Sequence, residues 1–226
     1  MSFNNGMFVL IIIAFLLSLW AQFRVKGTFR RWAEVPNLSG MTGYDAARHM
    51  LDANGLHDVP IEPVRGSLSD HYDPINRVVR LSEPVYYERS ISALSVACHE
   101  VGHAIQHKES YPMLALRHRI FPIVNFASGI APLLLIAGFI FNAMNLVGVG
   151  IIFFSVTVAF QLITLPVEFN ASNRAREIMV SEGYIRNEEE KGVAKVLNAA
   201  ALTYVAAALI SLLELIRYIG IFNSRD

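Results

Sequence analysis

IFPIVNFASGIAPLLLIAGFIF, Ile120 to Phe141, is followed after the four residues NAMN by LVGVGIIFFSVTVAFQLITL, Leu146 to Leu165. Neither segment contains an acidic or basic residue, and each is long enough to cross a hydrocarbon core about 30 Å thick. Two further segments flank this hairpin. MFVLIIIAFLLSLWAQF, Met7 to Phe23, is also uncharged, and Ala199 to Ile216 carries a single Glu214 near one end. The chain is 226 residues long, 54% hydrophobic and only 17% charged, too apolar for an ordinary soluble domain. A soluble core of this size could not hide all these segments. The first segment is followed by RVKGTFRRW rather than a small-residue cleavage site, so it reads as an anchor and not a signal peptide.

The charges set the orientation. With four crossings, the polar regions between Arg24 and Arg119 and between Pro166 and Asn198 share one side of the membrane. They hold 12 and 5 of the 19 Lys and Arg residues. The positive-inside rule places both in the cytoplasm. The expected organisation is an anchor at 7–23, a cytoplasmic region at 24–119, a two-helix hairpin at 120–165, a cytoplasmic helical region at 166–198 and a fourth crossing at 199–216. The expected fold class is mostly α and integral to the membrane, with a small cytoplasmic α/β region. Net charge is +0 and no basic block is present, which argues against a nucleic-acid partner; the lipid bilayer is the expected one. One cysteine excludes a disulfide within the chain.

The first cytoplasmic region carries the chemistry. TGYDAARHMLDANG predicts a helix capped by Thr42, with Asp45 three residues on, Ala46, Met50 and Ala53 on its apolar face, and Asn54-Gly55 as its stop. HDVPIEPVRG suggests short extended pieces, LSDHYDP a turn and INRVVRLS a strand. That strand is placed as an edge along which an extended peptide could lie. A long helix follows, capped by Ser90 or Ser92, and it contains VACHEVGHAIQH, Val96 to His107.

His99 and His103 stand at i and i+4, on one helix face, where two imidazoles can bind one zinc ion. Glu100 is turned about 100° round the helix, which suits a general base acting on metal-activated water. Gly102, inside the helix, suggests close approach of another backbone or of substrate. A catalytic zinc takes three protein ligands and keeps a position open. Glu168, Glu177 and Glu182 compete for the third place, with Glu168 favoured by its position after Pro166, where the third crossing is expected to end. His107 reads as a helix C-terminal or membrane-surface residue, Cys98 as a packed small residue, and His71 as either a cleft residue or a satisfied turn histidine. Asn173 and Arg174 could contact a carboxylate ligand or substrate, or lie on a helix surface.

On the blocks GYDAARHMLDANG, GSLSDHYDPINRVVRLS, SISALSVACHEVGHAIQH and LPVEFNASNRA the chain resembles the bacterial integral-membrane neutral zinc metallopeptidases of the YugP type. More distantly, its helix, hairpin and E-F-x-A order is similar to membrane-embedded proteases that trim prenylated proteins or act in membrane-protein quality control. The resemblance implies a gluzincin-like core in a bacterial plasma membrane. In it, His99, His103 and Glu168 would be the ligands of one Zn2+ per chain and Glu100 the base that hydrolyses a peptide or membrane-protein substrate. The distant relatives usually have an aspartate after E-F-x-A; here that place is Ser172, a weaker support for a ligand histidine. Two other classes use some of the same features: a catalytically inactive zinc-binding membrane chaperone or adaptor, whose site has no need of Glu100 if merely structural but as a pseudoenzyme could keep every visible residue, and a transporter, for which only Glu214 offers an ionisable group within a crossing.

Overall fold

Thr42 caps α2 (Gly43–Ala53) in a reciprocal box: its hydroxyl accepts from Asp45 N at 3.1 Å, and the Asp45 carboxylate accepts from Thr42 N at 2.9 Å. The helix ends at Asn54, and Gly55 takes a positive φ of 64°. Ala46 and Met50 are buried as expected, but Ala53 is exposed; Ala47 and Leu51 complete the buried face instead. Removing the cap with Thr42→Ala is expected to lower the unfolding free energy by about 1 kcal/mol, read from the shift in chemical denaturation midpoint.

The computed structural model describes residues 3–224. The elements before and after α2 are α1 (Phe3–Ala33), β1 (Ile61–Val64), β2 (His71–Asp73), β3 (Val78–Ser82), α3 (Glu83–Tyr87), α4 (Ile91–Lys108), α5 (Pro112–Ile140), α6 (Met144–Ser181) and α7 (Asn187–Asn223). Helix dominates. Four of the described helices, α1, α5, α6 and α7, are long and apolar enough to cross a membrane. The chain divides into two compact units.

Among the described residues, the first unit holds the apolar parts of these four helices: residues 3–22, Ala115–Pro166 and residues 202–224. Leu135, Val147 and Ile151 are buried in it against Phe139, Leu215, Tyr218 and Phe222. Leu133 and Ile152 are each 66% exposed, an apolar outer surface that suits lipid rather than water. Polar side chains turn back on their own helices: Ser155 Oγ donates to Ile151 O and Ser211 Oγ to Ala208 O. Glu214 lies 3.3 Å from Arg217 on the same helix, so the one acidic group of the fourth segment is paired.

The second unit comprises Phe23–Leu114 and Val167–Ala201. Its three strands run in the order β1-β3-β2, with β1 parallel and β2 antiparallel to β3. The INRVVRLS strand is therefore central, not an edge. The pairing explains why: β1 takes one hydrogen-bonding edge of β3 and β2 the other, leaving neither edge free for a further strand. The LSDHYDP stretch is likewise not simply a turn. His71–Asp73 pair with β3, and the turn follows them, where the Asp73 carboxylate accepts from Ile75 N and Asn76 N and Arg77 has φ 52°.

Pro166 does not end α6, which continues through it to Ser181. A proline within a helix costs about 3 kcal/mol. Val167, Ala171, Ala175 and Met179 follow at a spacing of four and are all fully buried, and burying the valine and methionine alone offsets that cost at about 1.5–3 kcal/mol each. A helix of 38 residues is about 57 Å long. It exceeds the hydrocarbon thickness by more than 20 Å, so its C-terminal part is free to belong to the polar unit.

Candidate metal centre

Ser90, not Ser92, caps α4: its hydroxyl accepts from Ala93 N at 3.1 Å, while Ser92 Oγ donates to Phe29 O at 2.7 Å. From this fixed start α4 runs through His99, Glu100 and His103 to its last turn at His107 and Lys108. The two imidazole rings are 4.8 Å apart, nearly perpendicular at 83°. Across from them α6 supplies Glu168. Its Oε2 lies 3.4 Å from His99 Nε2 and 3.5 Å from His103 Nε2. The three side chains are only 14%, 12% and 4% exposed, and one donor atom from each lies within 4.8 Å of the others.

The approach of α6 to α4 depends on Gly102. A Cβ built on Gly102 would sit 2.6 Å from Ala171 O and 3.2 Å from Ala171 C and Cα. Any side chain here would collide with helix backbone. Gly102 adjoins His103, and Ala171 lies one turn beyond Glu168, so this close passage sets the separation of the ligand-bearing faces.

The donor set suits zinc. Tetrahedral coordination with bonds of about 2.0–2.1 Å separates neighbouring donors by about 3.3–3.4 Å, which the two Nε2 to Oε2 distances approach. The other imidazole nitrogens are engaged from behind. His99 Nδ1 is 3.1 Å from Ser172 Oγ, and His103 Nδ1 is 3.0 Å from Gln106 Oε1. Outer partners of this kind orient metal-binding imidazoles. Among the described residues these three donors would fill three of the four positions of a tetrahedral ion.

Glu100 is 8% exposed, and burial pushes its carboxyl above the usual range; the charges of His99 and His103 pull partly against that shift. A carboxylate raised in this way is a better proton acceptor near neutral pH than a solvated one. Burial also pushes the Cys98 thiol up to about 12, so it is a packed residue and no nucleophile.

The family model described as "Putative neutral zinc metallopeptidase" matches residues 7–223. The chain belongs to that family. It is 66% identical over 222 residues to "Putative membrane protease YugP" of Bacillus subtilis (strain 168), covering 97% of this chain and 99% of the relative. No solved structure matches.

Within this family member, the other residues singled out from the sequence fall in different places. Glu177 is exposed on α6 and Glu182 is exposed in the turn just after it, and neither is part of the His99, His103 and Glu168 cluster. His71 is exposed on β2, its Nδ1 2.9 Å from Ser69 O, and also lies outside the cluster. His107 pairs through Nδ1 with the Tyr72 hydroxyl at 2.9 Å. Asn173 is exposed on α6, beside a groove of about 370 Å³ lined also by Arg176, Glu177 and Glu190. Arg174 donates from Nε to Asn170 Oδ1 at 2.8 Å and pairs with Glu109 at 2.7 Å. Sequence reasoning missed Gln106. The available signal was its position three residues after His103, on the same helix face, as an uncharged polar group in a buried stretch.

Proposed function

We propose that this protein is a membrane-bound zinc-dependent metallopeptidase that hydrolyses peptide bonds, holding one Zn2+ per chain through His99, His103 and Glu168. The observation carrying this reading is the convergence of those three side chains at ligand spacing with the buried Glu100 one residue along α4 from His99. Membership of the zinc metallopeptidase family supports it, as does the relative's printed description as a membrane protease.

When bound, zinc supplies Lewis acidity toward water and the scissile carbonyl. His99 and His103 offer neutral Nε2 lone pairs, and Glu168 offers a negative oxygen between them. Glu100 takes a proton from the attacking water at its carboxylate and later returns it to the departing amine. Burial around the cluster excludes bulk water and strengthens each of these electrostatic contacts. An extended substrate backbone would pair with the outer edge of β2, since β3 is central and Tyr72 of β2 reaches His107 on the helix that bears the histidines.

The polar unit is a gluzincin-like domain facing the cytoplasm of a bacterial cell, with the four apolar helices in the plasma membrane. The concentration of Lys and Arg between residues 24 and 119 and between 166 and 198 supports this orientation. Substrates are peptides or membrane proteins rather than nucleic acid. A catalytically inactive zinc-binding adaptor would have no use for Glu100 buried beside the cluster.

Metal removal tests the reading. Detergent-purified protein should contain close to one zinc per chain and cleave an unstructured reporter peptide. Stripping with a chelator should abolish cleavage, and one equivalent of zinc should restore it. Cleavage that persists after the metal is quantitatively removed would sink the proposal.

A further inference from the structure

Gln106 is fully buried, and all its side-chain bonds converge on the ligand-bearing elements. Its Nε2 donates to Val167 O at 2.8 Å and to Asn170 Oδ1 at 2.8 Å, while its Oε1 lies 3.0 Å from His103 Nδ1. Val167 and Asn170 flank Glu168 on α6. One amide thus touches a histidine ligand on α4 and the turn of α6 that carries the carboxylate ligand.

The orientation of that amide follows from the chemistry of its neighbours. Arg174 can only donate, so the Asn170 atom facing its Nε is the carbonyl oxygen. The Gln106 atom facing the same oxygen is then the nitrogen, and the backbone carbonyl of Val167 demands the same assignment. Gln106 Oε1 is left pointing at His103. An acceptor there requires the proton of neutral His103 on Nδ1, which leaves the lone pair on Nε2, the atom nearest Glu168. Glu109, paired with Arg174, anchors the far end of the chain of bonds. His99 has no equivalent lock, because the Ser172 hydroxyl beside its Nδ1 can either donate or accept.

We propose that Gln106 is the principal positioning residue of the site, fixing the tautomer of His103 and, through the same amide, the α6 turn that presents Glu168. The proposal rests on the zinc-site reading above. Gln106 itself meets neither metal nor substrate. Its loss therefore weakens metal capture before it affects any chemical step, whereas loss of the Ser172 hydroxyl disturbs only one imidazole that solvent or rotation can partly re-satisfy.

The test is zinc affinity of the full-length protein in detergent, measured by competition with a chromophoric chelator, for wild type, Gln106→Met and Ser172→Ala. Melting of the metal-free proteins is followed in parallel. Gln106→Met should bind zinc at least about tenfold more weakly, with helical content kept, and its cobalt-substituted form should show altered visible absorption bands. Ser172→Ala should lose less than Gln106→Met. Affinity of Gln106→Met within about threefold of wild type, or a larger loss in Ser172→Ala, would overturn the proposal while leaving the metal centre standing. Wild type that binds no zinc overturns both. If Gln106→Met does not fold, Asn170→Ala removes one of the two acceptors that hold the amide; it should weaken zinc binding, and unchanged affinity would overturn the clamp.

Discussion

Glu100→Gln is expected to keep its zinc and lose its peptidase activity. The substitution preserves shape and removes only the ability to accept a proton. Positioned acid–base groups contribute about 10²–10⁴-fold to rate, so cleavage should fall by about that factor. Zinc content should stay near one per chain, because Glu100 points round the helix from the ligand face. Thermal stability should hold or rise slightly: Glu100 is buried with its carboxyl pushed up by desolvation, and a neutral amide of equal volume relieves that cost. The measurements are zinc by elemental analysis, peptide cleavage and melting, made on both proteins from the same purification. Equal cleavage by the two would expose a contaminating protease and remove Glu100 from the mechanism. Loss of zinc together with activity would make Glu100 part of the metal's support rather than its base.

Gly102→Ala should weaken zinc binding without altering any ligand. Alanine in place of glycine favours a helix by about 1 kcal/mol, and on that ground alone the variant would be more stable. The added methyl, however, would lie 2.6 Å from Ala171 O, and a backbone carbonyl cannot swing aside as a flexible side chain can. Overpacking of this kind costs about 1–3 kcal/mol, so the helix gain offsets only part of it and overall stability should fall by at most about 2 kcal/mol. At the metal the helix gain offers no compensation. Relief of the clash moves α6 away from α4 by several tenths of an ångström or more, and metal sites tolerate only about 0.2 Å in ligand distance. Zinc affinity is therefore expected to drop by more than about tenfold, and cleavage to be lost unless excess zinc is supplied. Wild-type affinity in Gly102→Ala would show that the two helices can yield at this point, and that the ligand spacing is set elsewhere.

Some of this molecule was legible one residue at a time. Four apolar segments specify four membrane-length helices because hydrocarbon accepts backbone only when its hydrogen bonds are satisfied internally. Thr42 with Asp45 specifies a helix start because the donors it satisfies are within three residues. His99 and His103 share a face because helix geometry fixes the i, i+4 relation. All of these are local, and local spacing is what a sequence displays directly.

The errors and omissions were of another kind. Pro166 carries a breaker's signal, but whether a helix stops there depends on what its next turns bury, and Val167, Ala171, Ala175 and Met179 bury fully. The strand Val78–Ser82 could be recognised, yet its place between β1 and β2 is a pairing choice that no single strand contains. Gln106 reads as one more polar helix residue until Val167 and Asn170 are beside it. The sequence by itself determined which segments are membrane-length helices and which two histidines face the same way. Only the tertiary structure decided that α6 passes against Gly102 closely enough to bring Glu168 within 3.5 Å of both imidazoles. That separation is set by packing between backbones some 70 residues apart in the chain, and helical periodicity along either segment carries no information about it.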